Sequence, residues 1–515
     1  MGKARIVWLT ICAILATLMQ SLDSTIANVA LPYMQGSMGA SQDEINWVLT
    51  SYVVAAAIMT APIGFLTARF GRTRLFTISI AGFTIASILC GMAQSLDQIV
   101  IFRVLQGIFG AALVPLSQSV MFDIYSVEKR AAAMSIWGMG VMIGPVLGPI
   151  LGGWLTQNYS WRFIFYINVP FGILTIIGLL TFLKETSHRN SVKLDWIGFG
   201  ALSIAIGALQ LMLDRGETSD WFASSEIITE ACLAGMGLYL FLVQSWLAPK
   251  PFLSPKLFND VNFVVGIILI FISGSITYAT LALLAPYLQT LMDYPVVTAG
   301  VMLAPRGAGL MLAAFVCGRL IKKSNPRLLL GIGFIAGAYA LYEMTLWTPD
   351  VSEGTIISTG FIQGLSIGFI SIPLNVTTFA TVSAELRIEA TGIYSLTRNL
   401  GSAIGIALSG AILQSSTQIN HAIIAGVVTP FNRALQTPAI SQFWNPWTPR
   451  SAAALNVEIT RQAIVIGYID NFKIMLILAI VSIPLVLLIR SATKEADGRH
   501  AGWSRPERPA RVPGE

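Results

Sequence analysis

The chain has 515 residues, of which 55% are hydrophobic and 11% are charged, and its formal net charge is +6. Soluble domains carry about 25% charged residues, so this chain has too little polar surface to remain in water as a folded globule. The basic residues lie in short segments between long apolar runs, a distribution that argues against nucleic-acid binding and indicates membrane topology. We therefore predict an all-α polytopic membrane protein.

Apolar runs long enough for the roughly 20 residues that a helix needs to cross a bilayer occur along almost the whole chain. We predict fourteen transmembrane spans, at 6–32, 45–68, 75–95, 98–121, 131–155, 162–183, 195–214, 226–247, 262–289, 296–321, 328–347, 354–381, 389–413 and 471–490.

The loops between these spans alternate in charge. Every second loop is rich in basic residues, which are Arg69, Arg72, Arg74, Lys129, Arg130, Lys184, Arg189, Lys193, Lys250, Lys256, Lys322, Lys323, Arg327 and Arg387. The remaining short loops carry mainly acidic residues, which are Asp43, Glu44, Asp97, Asp350 and Glu353. Lysine and arginine favour the cytoplasmic ends of membrane helices, so we predict that both termini are cytoplasmic.

Faint internal similarity indicates that the chain is built from two related halves. Residues 32–35 (PYMQ) recur as 286–289 (PYLQ), an offset of 254. At an offset of 257, Gln106-Gly107 recurs as Gln363-Gly364, and Gly144 and Gly148 recur as Gly401 and Gly405. Transporters are often built from such repeats around a central site.

The repeat divides the predicted spans into an ordered set of units. We predict a first six-helix half at 1–190, two inserted helices at 191–255 and a second six-helix half at 256–490. The second half includes a polar loop at 414–470, which we assign to the outer face, and a basic cytoplasmic tail follows at 491–515.

The loop after the second span combines two glycines, Gly64 and Gly71, with two cations, Arg69 and Arg72. Glycines permit a tight turn, and cations can hold the C-terminal ends of neighbouring helices. Simple anchoring of the loop at the inner membrane face is the alternative, and the sequence leaves both possibilities open.

The fifth span is unusually rich in glycine and proline. Its glycines at four-residue spacing fall on one helix face, so another backbone can approach closely, while its prolines remove helix hydrogen bonds. These residues are Gly140, Gly144, Pro145, Gly148, Pro149, Gly152 and Gly153.

Two acidic residues inside spans, Asp23 and Glu343, are candidates for proton coupling, with Asp214 at a helix end as a weaker one, and Arg103 is a cation inside a span. Burial disfavours the charged form of a carboxyl group, and an arginine in hydrocarbon costs at least about 2.5 kcal/mol, so each needs a partner or water. The repeat-related position of Asp23 carries Thr277, which confines the acid to one half. A helix-to-helix ion pair at Asp23, snorkelling of Arg103 and an interfacial Glu343 are the alternatives.

A substrate cavity near the middle of the membrane would combine apolar and aromatic groups with a few polar ones. Span position favours Asn28, Gln106, Trp137, Tyr278, Phe361, Gln363, Arg398 and Asn399 as its lining. The sequence contains no phosphate-binding G-x-x-x-x-G-K-[ST] motif, no nucleophile and base set, and no metal-ligand cluster. We therefore predict no catalytic residues, no metal and no cofactor.

Four segments carry a resemblance to a known family: LDSTIANVALP at 22–32, GFLTARFGRTR at 64–74, RVLQG at 103–107 and GPVLG at 144–148. They resemble motifs of the major facilitator superfamily, specifically its fourteen-span drug:proton antiporter branch, and most closely the EmrB-type multidrug exporters. In that family the intramembrane Arg is linked to proton transfer, and the glycine-proline motif marks antiporters. The chain departs from the family at Ala68, where an Asp is usual, which removes the acid expected for a charge latch in this loop.

The resemblance implies the major facilitator fold and proton-coupled export of small hydrophobic molecules across the bacterial inner membrane. It also implies two partners, a periplasmic adaptor protein and an outer-membrane channel. Export of a dedicated metabolite or siderophore fits the same motifs and remains the alternative. A membrane-embedded enzyme or receptor is a third class, and the sequence offers no catalytic set or sensory domain for it.

Overall fold

The computed structural model describes residues 3–183, 195–216, 218–248, 254–321, 324–383, 386–429, 437 and 448–490. These residues are almost entirely helical and contain no strand. The helices of the first half are α1 (Lys3–Met38), α2 (Gln42–Thr60), α3 (Ile63–Phe70), α4 (Arg72–Met92), α5 (Leu96–Gly110), α6 (Leu113–Ile124), α7 (Val127–Asn158), α8 (Phe163–Tyr166) and α9 (Asn168–Phe182).

The remaining helices are α10 (Trp196–Arg215), α11 (Ser225–Leu247), α12 (Val261–Pro286), α13 (Val296–Leu320), α14 (Pro326–Thr345), α15 (Glu353–Thr378), α16 (Arg387–Val427) and α17 (Pro449–Leu487). Residues Tyr287–Leu291 continue α12 as a turn of π-helix. The predicted basic tail at 491–515 lies outside the described residues, as does the predicted boundary of the first half near 190.

Twelve helical stretches are long and apolar enough to cross a membrane, and two of them join α5 with α6 and α8 with α9. The bent pair α2 and α3 makes a thirteenth span if the two count as one. The pair bends by 59° at the break before Ile63, where Pro62 precedes α3. The predicted span at 131–155 lies within α7, several of whose side chains fall outside the described part of the chain. The all-helical membrane class is therefore confirmed, and the count of fourteen stays a prediction.

Polar side chains at loop ends fix where several helices begin. Ser41 and Glu44 form a reciprocal cap at the start of α2, in which the Glu44 backbone donates to Ser41 Oγ and the Ser41 backbone donates to Glu44 Oε2. Asp260 accepts from the backbone N–H groups of Asn262 and Phe263 at the start of α12. Each cap satisfies donors that a helix N-terminus would otherwise leave unpaired.

The same helix contact occurs in both halves. In the first half α7 packs on α1, and Thr25 Oγ1 donates to the carbonyl of Gly144 at 3.2 Å. In the second half α16 packs on α12, and Ser275 Oγ donates to the carbonyl of Gly401 at 2.7 Å. Gly144 and Gly401 are related by the predicted offset of 257. The carbonyls of these two repeat-related glycines therefore each accept a hydrogen bond from a hydroxyl group of the neighbouring helix.

The inserted helices lie at one junction of the two halves. Helix α10 packs against both α2 of the first half and α16 of the second, where Leu202 and Ile206 contact Ala57 and Leu396 in one buried cluster. Helix α11 packs on α10 through Gly237 and leaves most of its apolar side chains exposed. Such a helix surface suits contact with lipid chains.

The structure differs from the predicted polar loop at 414–470. Helix α16 continues to Val427 and α17 begins at Pro449, so most of that segment is helical. The two helices pair there: Ser416 Oγ donates to Asp470 Oδ2 at 2.7 Å, and His421 Nε2 lies 3.0 Å from Asn456 Oδ1. Polar residues that suggested a loop therefore lie on two paired helices, where some of them form contacts between α16 and α17.

Candidate functional site

The centre of the first half contains a fully buried ion pair. Asp23 lies in α1 and Arg103 in α5, and each residue is 0% exposed. Arg103 Nη1 donates to Asp23 Oδ2 at 2.6 Å. The structure therefore contains the helix-to-helix ion pair that the sequence left open as the alternative at Asp23, and Arg103 does not reach towards the membrane interface. A role of Asp23 in proton coupling stays a prediction.

Two amide side chains donate hydrogen bonds to the second carboxylate oxygen of Asp23. Gln106 Nε2 donates to Asp23 Oδ1 at 2.8 Å, and Asn168 Nδ2 lies 3.3 Å from the same oxygen. Ser87 Oγ accepts from Asn168 at 3.0 Å and donates to the Phe165 carbonyl at 2.9 Å. The network thus joins α1, α4, α5 and α9 in one set of hydrogen bonds.

Arg103 is held on every side. Its Nε donates to the Val48 carbonyl at 2.9 Å, and its Nη1 donates to Gln106 Oε1 at 2.8 Å. The guanidinium carbon lies 4.2 Å from the ring centroid of Tyr52 and 5.7 Å from that of Phe165. Aromatic faces stabilise a desolvated cation, so Arg103 remains favourable here when charged.

This arrangement makes the stability of each buried charge depend on the other. A buried ion pair is stable while both charges are present, and removing one charge leaves the other unpaired at a cost of about 3–5 kcal/mol.

The glycines of α7 bring that helix into contact with the helix that carries Asp23. A Cβ at Gly144 would lie 2.7 Å from the carbonyl carbon of Ser21, and one at Gly148 would lie 2.2 Å from Thr25 Oγ1. A Cβ at Gly140 or Gly152 would also clash, with Ile14 and Ile26 respectively, whereas Gly153 has only Val29 within 4 Å, at 3.9 Å. The side chains of Pro145 and Pro149 lie outside the described part of the chain.

The loop motif at 64–74 contains an ion pair that the sequence did not suggest. Gly71 has a φ of +84°, a conformation that favours glycine, and it joins α3 to α4. Arg72 pairs with Asp123 in the last turn of α6. Asp123 thus supplies an acid for this loop although Ala68 does not. Arg69 is exposed and Gly64 partly exposed.

The predicted cavity residues of the first half fall into two groups. Gln106 is buried in the Asp23 network, and Trp137 is buried with its Nε1 2.9 Å from both Thr17 Oγ1 and Ser117 Oγ. Asn28 is exposed on α1. Two of the three therefore use their polar atoms within the protein core.

In the second half Tyr278, Phe361 and Arg398 are partly exposed, Asn399 is exposed and Gln363 is buried. Glu343 is partly exposed near the end of α14 and interacts with the exposed Tyr339. It belongs to a different half from the Asp23 network.

Four site residues escaped the sequence analysis. Asn168 and Ser87 are neutral polar residues, and Asp123 lies just beyond the predicted span at 98–121, so only their contacts distinguish them. The fourth, Arg306, is a cation near the middle of the predicted span at 296–321, and its position in that span was a usable signal.

Comparison with known proteins identifies the relatives of this chain. The model of the Major Facilitator Superfamily matches residues 13–406. Fatty acid resistance protein FarB of Neisseria gonorrhoeae is 36% identical over 502 residues, covering 96% of this chain and 98% of that protein. Multidrug export protein EmrB of Escherichia coli K12 is 34% identical over 472 residues, covering 91% and 92%. Probable multidrug resistance protein EmrY of the same strain is 34% identical over 485 residues, covering 93% and 94%.

Solved structures show a similar fold. A bacterial homologue of the human lysosomal transporter Spinster, in an inward-facing and occupied conformation, matches with a TM-score of 0.56 over 96% of this chain and 98% of that one. The sequence identity is 18%, so this likeness concerns the fold alone.

Proposed function

Because this chain belongs to the major facilitator superfamily, we propose that it exports small hydrophobic molecules across the bacterial inner membrane in exchange for protons. It is a multi-pass membrane transporter and not an enzyme. The observation that carries the proposal is the buried pair of Asp23 and Arg103, since it is a titratable acid at the centre of a transporter half. Relatives named for multidrug export support the same direction of transport.

In the proposed cycle Asp23 alternates between its charged and neutral forms. The charged carboxylate holds Arg103 and ties α1 to α5. A proton arriving from the outer side neutralises Asp23 and weakens that tie. Because α7 packs on α1 through Gly144 and Gly148 and also runs beside α13 of the second half, a shift of α1 reaches the contact between the halves.

The energy available from one proton is sufficient for this task. One charge moving through a potential of 100 mV supplies about 2.3 kcal/mol, and about 1.4 kcal/mol corresponds to a tenfold concentration ratio. One uncompensated proton therefore sustains a substrate gradient of roughly fiftyfold.

Asp23→Asn tests the proton coupling. We expect the variant to insert and bind substrate, although it should be less stable by about 3–5 kcal/mol because Arg103 loses its counter-charge. Drug-induced proton movement in proteoliposomes should be lost, because an amide cannot carry the proton. Asp97→Asn, an exposed acid in the first turn of α5, is the matched control and should couple normally. Normal coupling in Asp23→Asn would refute the assignment and transfer the role to Glu343.

We also propose that both termini are cytoplasmic and that the hairpin of α16 and α17 contacts a periplasmic adaptor, which joins the transporter to an outer-membrane channel. The charge bias of the loops and the length of the two helices, 41 and 39 residues, support this orientation and contact. A carboxy-terminal reporter that is active only in the periplasm would contradict the orientation. Resistance that persists after deletion of every candidate adaptor in the host would contradict the tripartite assembly.

A dedicated substrate is the second candidate, because one relative is named for fatty acid resistance. A metabolite or siderophore exporter would share the same motifs. Substrate profiling in a host without its own pumps separates the two: a broad range of unrelated drugs supports multidrug export, whereas resistance to one chemical class supports a dedicated exporter.

A further inference from the structure

A hydrogen bond between two amide side chains crosses from the first half of the chain to the second. Gln118 lies in α6 and Asn375 in α15, and Gln118 Nε2 donates to Asn375 Oδ1 at 3.2 Å. Gln118 is 3% exposed, so its amide needs a partner within the protein. We call this contact the amide bridge, and it connects the two halves directly.

The two residues of the amide bridge occupy the same position in the internal repeat. They are 257 residues apart, which is the offset that also relates Gln106 to Gln363. Residues related by a two-fold repeat can touch each other only close to the axis of that repeat. The axis that relates the two halves therefore passes through the amide bridge.

The amide bridge lies well away from the Asp23 network. Gln106, which donates to Asp23, and Gln118 belong to one continuous helical stretch. At a rise of roughly 1.5 Å per residue, Gln118 lies about 18 Å along that stretch from Gln106. The bridge is thus close to the end of α6 where Asp123 meets the loop motif.

Contacts within each half fix the two amides in position. Asn375 Nδ2 donates to the Ser371 carbonyl at 2.8 Å, which leaves Oδ1 to accept from Gln118. Ser117 Oγ lies 2.6 Å from Thr17 Oγ1, which holds α6 against α1 beside Gln118. A movement of one half relative to the other must therefore break the amide bridge.

The two halves also pack together at this end of the molecule. Helix α3, which leads into the loop motif, packs on α16, and so does α6. Neutral amides suit a contact that opens and closes, because water satisfies both groups when the halves part. A separated ion pair would instead leave two charges in need of new partners.

We propose that Gln118 and Asn375 hold the two halves closed at this end, and that their bond breaks when the central space opens to that side. This inference rests on the proposed function, since a transporter must expose its central site to one side at a time. In the orientation proposed above, this side is cytoplasmic, so breaking the bridge is the step that admits substrate. Both amides are positioning residues, which act through the arrangement of the halves.

The distance between two spin labels measures this closure without substrate or proton gradient. Ser126 and Ser383 are exposed, follow α6 and α15, and are related by the same offset of 257. Labels are attached at Ser126→Cys and Ser383→Cys in a Cys232→Ser background, because Cys232 is exposed and the other native cysteines are buried. Pulsed electron spin resonance on the purified full-length chain then gives the ratio of the short, closed distance to the longer, open one.

Gln118→Leu removes the donor of the bridge from a side chain of similar size. A neutral hydrogen bond has a net contribution that corresponds to about two- to tenfold in an equilibrium constant. We expect the ratio of closed to open distances to fall by such a factor. Ser275→Ala is the control, because it removes a hydrogen bond within the second half and should leave the ratio unchanged. An unchanged ratio in Gln118→Leu would overturn the proposal.

The repeat allows a second test in which the two residues are exchanged. Gln118→Asn shortens the donor side chain by one methylene group and should lower the closed fraction. Adding Asn375→Gln restores the combined length of the two side chains and should recover the wild-type ratio, because the two positions are equivalent. A double variant no closer to the wild type than Gln118→Asn would contradict the proposal. These conservative variants also replace Gln118→Leu if it does not fold.

Cross-linking relates the amide bridge to export. Two amides joined by a hydrogen bond keep their Cβ atoms farther apart than the roughly 4 Å of a disulfide, so Gln118→Cys and Asn375→Cys are joined by a short bifunctional thiol reagent that reductant cleaves. Drug export in proteoliposomes should stop, and reductant should restore it. The same treatment of Ser416→Cys with Asp470→Cys, a pair within the second half, should leave export intact.

The outcomes separate this inference from the proposed function. Export that continues after the bridge is cross-linked would overturn the role of Gln118 and Asn375. A wild-type chain that exports no drug would refute the proposed function instead, and the spin-label distances would still decide whether the amide bridge closes the two halves.

Discussion

The contact between α1 and α7 provides the sharpest structural prediction, because it can be disturbed by one methyl group. A Cβ at Gly148 would lie 2.2 Å from Thr25 Oγ1, 3.0 Å from Thr25 Cβ and 3.3 Å from the Ile26 backbone nitrogen. Thr25 has a β-branched side chain with few χ1 rotamers, so moving it away from the new Cβ costs free energy. Gly148→Ala must therefore push α7 away from α1.

The magnitude follows from two opposing effects. Alanine is a better helix former than glycine by about 1 kcal/mol, which alone would stabilise the protein. Overpacking of a tight contact costs about 1–3 kcal/mol. We expect Gly148→Ala to be destabilising by up to about 2 kcal/mol after the two are combined. Gly153→Ala in the same helix gains the higher helix propensity of alanine without a steric clash, because its Cβ would contact only Val29, at 3.9 Å.

The assay compares thermal unfolding in detergent with substrate transport in proteoliposomes. Gly148→Ala should melt below the wild type and transport more slowly, because Asp23 is only two residues from Thr25 on the displaced helix. Gly153→Ala should melt at or above the wild type and transport normally. Adding Thr25→Ala to Gly148→Ala removes the clashing hydroxyl and should restore part of both properties.

Equal melting and transport in Gly148→Ala and Gly153→Ala would contradict the proposed clash between α7 and α1. Failure of Thr25→Ala to improve Gly148→Ala would show that the clash is relieved elsewhere, and that the glycines serve a purpose other than close approach of α1.

Three more predictions concern other contacts. Arg103→Gln should destabilise the protein by about 3–5 kcal/mol because Asp23 stays buried without its partner, and Asp23→Asn added to it should recover most of the loss in a thermal melt. Asp123→Asn should change the unfolding free energy by less than about 1 kcal/mol, because Asp123 is 52% exposed and such pairs are weak; a larger loss in the melt would contradict this. Ser416→Cys combined with Asp470→Cys should form a disulfide under oxidising conditions, whereas Ser415→Cys with Asp470→Cys should not, as judged by mobility on a denaturing gel with and without reductant.

The sequence predicted the fold well because the bilayer constrains it. Apolar length and charge alternation indicate helices directly, and the major facilitator fold is confirmed by the family match and the structural neighbours. The segment at 414–470 was misread, because polar composition was taken as a sign of irregular structure.

The candidate site was predictable residue by residue but not in its pairings. Asp23 and Arg103 were recognisable because charge in a membrane is costly, yet their contact depends on how α1 and α5 pack. Trp137 and Gln106 were predicted as cavity residues, and composition alone cannot reveal that their polar atoms bind Thr17, Ser117 and Asp23 within the core. Arg306 was missed although its depth in a span made it conspicuous.

The inserted helices restrict the routes by which lipid-soluble molecules can reach the transporter. The two halves meet along two seams, one beside α2 and α16 and the other beside α7 and α13. Helices α10 and α11 cover the first seam from the lipid side, while neither packs on the second in the described part of the chain. The first seam is therefore screened by α10, whereas the second seam is closed by the direct packing of α7 on α13.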